Sequence, residues 1–145
     1  MDVVERKIGR IFSLNFKPEE DFYGNVVKFV KEKNIRAGSV FFMGAFYELD
    51  IIPGVLLPSP PMPPPDETRL HIDQWVDVQG QGIITWPDSS PPVHLDQHAW
   101  TDDPDPYIHL HVTVSGGPSK PREVYAGHLC DGRLKGMMMD IIELL

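Results

Sequence analysis

Cysteine is almost absent. Cys130 stands alone among 145 residues, so the chain can form no internal disulfide, and a reducing, cytoplasmic setting is expected. Long apolar runs are missing too, none approaching the roughly 18 residues of a membrane-spanning helix. The opening residues MDVVERKIGR carry charges where a secretion signal needs an apolar stretch, so neither membrane association nor a leader is expected. The chain has no glycine-rich phosphate loop, no G-x-S-x-G turn and no C-x-x-C pair, which removes the commonest signatures of nucleotide binding, serine hydrolysis and thiol redox chemistry. Positive charge is scarce as well: 13 Lys and Arg face 21 Asp and Glu, a net charge of −8. Residues 1–36 hold eight bases against six acids, a net +2, whereas residues 37–145 hold five against fifteen, a net −10. Within 66–106, Arg69 is the only base among nine acids. Nucleic-acid affinity comes largely from Lys and Arg displacing counterions, so direct DNA binding is expected to be weak.

What is present describes an ordinary globular chain. Its length suits a single domain over residues 1–145, which would bury roughly two thirds of its surface without staples. Residues 4–16 are β-rich, with Ile8, Arg10, Phe12 and Leu14 hinting at one strand face. Pro18, followed by Glu19, Glu20 and Asp21, predicts a helix start, because proline suits a first turn and acids complement the dipole. Phe22, Val26, Phe29 and Val30 recur at helical spacing, and the helix should end near Asn34. Val40-Phe41-Phe42-Met43 is a continuous apolar run, expected as a strand buried on both faces. Two short strands are expected at 69–79 and 81–86, around Gly80. Further strands follow at 107–115, 123–130 and 137–145, with Gly116 to Pro121 and Asp131-Gly132 as turns. One helix among many strands indicates α+β or mixed α/β architecture rather than a doubly wound sheet.

Residues 53–65, PGVLLPSPPMPPP, contain seven of the fifteen prolines. Proline removes backbone donors and favours extended geometry, so this tract cannot be a central strand. A stiff surface loop over about 53–68 is the expectation, ahead of a strip that docks on an aromatic groove. Residues 87–92 form another turn-rich break.

The histidines carry the sharpest chemistry. His109-Leu110-His111 lies on an expected strand, where residues two apart share a face roughly 6.5–7 Å apart. Two imidazoles so placed reach one ion, since metal–nitrogen bonds are about 2.0–2.1 Å and the rings span the rest. A turn symmetric about Ser119 and Lys120 sets His111 opposite His128, and His109 opposite Cys130. Three histidines then converge. The plain alternative is that they line a half-buried sheet face, bonded to backbone or water. Three neutral imidazoles suit zinc best, with nickel, iron or copper as other divalent choices. An open fourth position would permit hydrolytic chemistry on a small molecule. Cys130 in that position would instead close a structural site, although it reads better as a small buried apolar residue. A second cluster, His94, Asp96 and His98 with Asp102, Asp103 and Asp105 beyond, also mixes imidazole and carboxylate, but its flanking prolines fit an exposed, solvated loop.

Ile8-Gly9-Arg10-Ile11-Phe12, Pro18-Glu19-Glu20-Asp21, Asn34-Ile35-Arg36-Ala37-Gly38, Gly44-Ala45, Ile108-His109-Leu110-His111-Val112 and Ala126-Gly127-His128-Leu129 occur in an order and spacing that resembles the plants-and-prokaryotes-conserved (PPC) domain. With the apolar C-terminal strand, the resemblance covers both ends of the chain. Between residues 49 and 107 the chain departs from the pattern, carrying the proline tract, Trp75, Trp86, Trp100 and the acidic cluster. The resemblance implies an α/β (α+β) fold with a central mixed, largely antiparallel sheet and one main helix, usually as a homotrimer. It implies zinc on His109, His111 and His128. Relatives of this type are often described as DNA-binding, yet the AT-hook of the plant proteins, an Arg-Gly-Arg-Pro core, is absent here. The reading that follows is a homotrimeric metal-binding protein with a DNA-associated or regulatory role. A zinc-dependent hydrolase or lyase, with a small-molecule ligand near the metal, is the competing class. A structural assembly module is the third.

Overall fold

The computed structural model describes residues 1, 3–53, 69–86 and 105–145. Seven elements follow one another in these residues: β1 (Ile8–Phe16), α1 (Phe22–Lys33), β2 (Gly38–Ile52), β3 (Leu70–Ile72), β4 (Val76–Thr85), β5 (Tyr107–Ser115) and β6 (Val124–Leu144). The strands form one sheet in the order β1-β6-β5-β4-β2-β3. The largely antiparallel α+β architecture with one helix is borne out, and no parallel pair occurs among the described residues. The proline tract after Pro53, the 87–92 break, Trp100 and the His94, Asp96, His98 cluster lie outside the described residues.

β2 and β6 are the long girders, at 15 and 21 residues. They run side by side from Gly38↔Glu143 to Ile52↔His128. The other edge of β6 pairs with β1 near its end, at Phe16↔Met137, and with β5 at its start, at Ser115↔Val124. β4 joins β2 to β5, so the pairings β2–β4–β5–β6–β2 close into a ring. Register shifts in the β2–β6 ladder, between Ala45 and Phe46, Phe46 and Glu48, and Asp50 and Ile51, supply the bends that such closure requires.

Helix α1 covers one face of this sheet. Asp21 caps it by accepting from the Gly24 N–H at 3.0 Å, so the helix begins at Phe22, later than the proline signal suggests. Asn34 ends it as expected, in the left-handed region at φ 51°, with its N–H donated to the Lys31 carbonyl at 3.1 Å. Phe22, Val26 and Val30 form the buried stripe, and the Phe22 ring meets Phe46 edge-on at 5.5 Å. Beneath them lie Phe42, Leu110, Val112, Leu129, Met139 and Ile141, all buried.

Three expectations need correction. Val40-Phe41-Phe42-Met43 is not buried on both faces: Val40 and Phe42 point into the core, while Phe41 and Met43 are 49% and 57% exposed. Gly80 does not separate two strands. β4 passes straight through it, and a side chain there would collide with the Phe42 ring and the His111 carbonyl. Asp131-Gly132 is no turn either, because β6 continues without a break. Gly132 leaves room for the Phe46 ring, whose Cδ1 would stand 2.6 Å from an added Cβ. In both cases glycine serves close packing inside a strand rather than a reversal.

Candidate metal centre

Strand β5 alternates cleanly. Ile108, Leu110, Val112 and Val114 are buried, which turns His109, His111 and Thr113 to the opposite face. The chain reverses over residues 116–123, with the Gly116 N–H donated to the Glu123 carbonyl at 2.8 Å, and His111 then stands directly opposite His128. The register expected from a symmetric turn is the register found. The β5–β6 ladder ends at that pair, so the expected His109–Cys130 pairing is absent. Cys130 falls at the register shift beside Asp50 and Ile51, where the bulge turns it out of the ladder. Its thiol lies 3.7 Å from the His128 carbonyl and its pKa is pushed up by burial, which favours the uncharged form.

The three imidazoles converge. One ring nitrogen from each of His109, His111 and His128 lies within 4.8 Å of the others. The ring centroids are 4.8 Å apart for His109 and His111, 4.9 Å for His109 and His128, and 5.9 Å for His111 and His128. Nε2 of His111 is 3.0 Å from Nε2 of His109. Two nitrogens on one tetrahedral ion stand roughly 3.3 Å apart, so little adjustment is needed for a shared ligand. Burial holds the His109 pKa down at about 4, reinforced by His128 and His111. Burial also lowers His128, with His111 adding to it. These two rings are therefore neutral near pH 7, the form in which imidazole offers a lone pair to a metal. The donor set fits a divalent transition ion.

The sheet register places this group in a wider setting. Gln81 opposes both His111 and Phe41, Phe41 opposes Asp140, and Asp140 opposes Ser13, so these side chains share one face. The neighbouring row runs from Thr113 through Gln79, Met43 and Met138 to Asn15. A hollow of about 890 Å³ lies on this face, lined by Ser13, Asn15, Phe41, Gln79, Gln81 and His111 among others. Asp140 is tied to the Ser13 hydroxyl at 2.6 Å. Apart from Asp140 and His111, the two rows carry no charged or titratable chain end, and Phe41, Met43 and Met138 stand about half exposed among them.

Of the second sequence cluster only Asp105 is described, and it pairs with Lys31 on α1. Sequence reasoning passed over a different group, Glu48, His71 and Asp73, whose ligand atoms also lie within 4.8 Å of one another. The signal was available: Glu48-x-Asp50 and His71-x-Asp73 have the same two-residue alternation as His109-x-His111. No helix among the described residues is long and apolar enough to cross a membrane.

Comparison with solved structures identifies the fold. A metal-containing protein from Archaeoglobus fulgidus superposes with a TM-score of 0.71 at 20% identity, covering 99% of this chain and 86% of that one. A plant- and prokaryote-conserved (PPC) protein from Pyrococcus horikoshii gives 0.72 at 16% identity, covering 100% of this chain and 85% of its own. A candidate DNA-binding protein from Bacteroides thetaiotaomicron gives 0.62 at 21% identity, covering 94% and 79%. No curated protein sequence matches this chain. At the level of sequence families, the Plants and Prokaryotes Conserved domain matches residues 3–143, nearly the whole length, and the chain belongs to that family.

Proposed function

We propose that this chain is a homotrimeric cytoplasmic protein, folded as one domain over 1–145, that holds one zinc or similar divalent transition ion on His109, His111 and His128. Its role is regulatory or DNA-associated, exerted through partners. The observation that carries this reading is the convergence of three imidazole nitrogens within 4.8 Å on one sheet face. The metal content of the Archaeoglobus relative and the DNA-binding description of the Bacteroides relative are consistent with it. Direct duplex binding stays weak, because the net charge of −8 opposes phosphate. The hollow beside His111 favours a second reading, a metal-dependent hydrolase or lyase acting on a small molecule. When bound, the ion would supply Lewis acidity at the mouth of that hollow. The chain's own contribution would be positioning, by Gln79, Gln81 and Asn15.

Elemental analysis of protein purified without a tag or chelator tests the metal directly. About one zinc per chain is expected at these three histidines. His109→Ala combined with His128→Ala should remove that one equivalent while circular dichroism stays unchanged. Undiminished metal in the double variant would overturn the assignment.

A further inference from the structure

The β2–β3 edge repeats the geometry of the histidine strand with different donors. Leu49 opposes Ile72, and both are buried, at 1% and 5% exposure. Glu48, Asp50 and His71 therefore project from the other face of the same two strands, and Asp73 follows just past the end of β3. Asp50 opposes His71, and its Oδ1 lies 2.8 Å from His71 Nδ1. A carboxylate only accepts, so Asp50 holds a proton on Nδ1, and with the charges of Glu48 and Asp73 it raises the His71 pKa; a metal at Nε2 would take the place of the second proton. Nε2 stands 3.9 Å from Oε2 of Glu48, beyond hydrogen-bond reach. It is within a small adjustment of the roughly 3.3 Å that separates two ligands of one tetrahedral ion. The other oxygen of Glu48, Oε1, faces Arg133 Nε at 3.7 Å, so the arginine turns Oε2 toward the imidazole. Asp73 supplies a third donor within 4.8 Å of the other two.

We propose that His71 Nε2, Glu48 and Asp73 form a second divalent-metal site, with Asp50 as the positioning residue behind His71. One oriented imidazole with two carboxylates separates this group from a solvated acidic patch. Magnesium and calcium take oxygen ligands, whereas nitrogen with oxygen suits zinc and its neighbours. An aspartate behind the ligating ring is the usual support for such a histidine. Glu48 and His71 line a cleft of about 520 Å³ together with Glu19, Glu20, Asp131 and Arg133, where the carboxylates outnumber the one guanidinium and favour a cation.

The test is a calorimetric zinc titration of the His109→Ala/His128→Ala protein, in which the β5–β6 histidines cannot compete. One zinc per chain is expected, weakened at least tenfold by His71→Ala or Asp73→Asn. Asp50→Asn should weaken it about 10- to 100-fold, the usual cost of losing such a support. In nitrogen-15 spectra, His71 Nε2 should shift on addition of one equivalent of zinc while Nδ1 keeps its proton. Equal zinc affinity with and without His71, or an unmoved Nε2 resonance, overturns the proposal. Metal at His109, His111 and His128 is read separately, as the difference in zinc content between the wild-type chain and the double variant, so the two assignments can fail independently.

Discussion

Arg10 and Glu143 lock three elements together. The Glu143 carboxylate is buried and accepts from the Arg10 backbone N–H at 3.0 Å, from Nε at 2.7 Å and from a terminal guanidinium nitrogen at 2.7 Å. The same guanidinium donates to the Lys33 carbonyl at 2.7 Å, which joins β1 and β6 to the end of α1. These hydrogen bonds hold the Glu143 carboxyl down at about 2, below its ordinary 4.5. A carboxylate with a lowered folded-state pKa stabilises the fold above its unfolded value, and that contribution is lost as pH falls through the folded one. Glu143→Gln should therefore be less stable than the wild type at pH 7, and the gap should close between about pH 4.5 and 2. Urea unfolding at pH 7, 4 and 2.5 checks this, and a gap independent of pH would contradict it. At this scale the sequence was legible where alternation met a short turn, as at His111 and His128. It was silent about Glu143, because nothing in the residue order says which of 21 acids is buried.

At the scale of elements, glycine caused the errors. Gly80 and Gly132 read as breaks because the same residue that permits a reversal also permits two backbones or a ring to approach. Only the partner element distinguishes the two uses, and here the partners, Phe42 and Phe46, are distant in sequence. The run from Val40 to Met43 misled for a related reason. Apolar residues facing outward look like core residues until the sheet face is known to be open. Gly132→Ala tests the packing account, since its Cβ would stand 2.6 Å from Cδ1 of the fully buried Phe46. Overpacking of this kind costs about 1–3 kcal/mol. Chemical denaturation should show that loss, and Phe46→Leu added to Gly132→Ala should cost less than the two single changes summed. Strict additivity would mean that the glycine matters for its backbone alone.

For the molecule as a whole, the open face is the feature that demands explanation. Helix α1 covers one side of the sheet, while Phe41, Met43, Ile83 and Met138 remain 49%, 57%, 39% and 58% exposed on the other. Closed symmetric association is the usual cover for such a surface. Light scattering should give a mass near three times the 16.4 kDa chain, and Phe41→Asp should reduce it toward one chain. A wild-type monomer at low micromolar concentration would contradict the trimer without touching the metal assignment.

The histidine centre is tested most directly by anomalous diffraction at the zinc edge from crystals grown with zinc. The account predicts a peak about 2.0–2.1 Å from one ring nitrogen of each of His109, His111 and His128. Anomalous density confined to His71 and its carboxylates, or none near the three histidines, would contradict it.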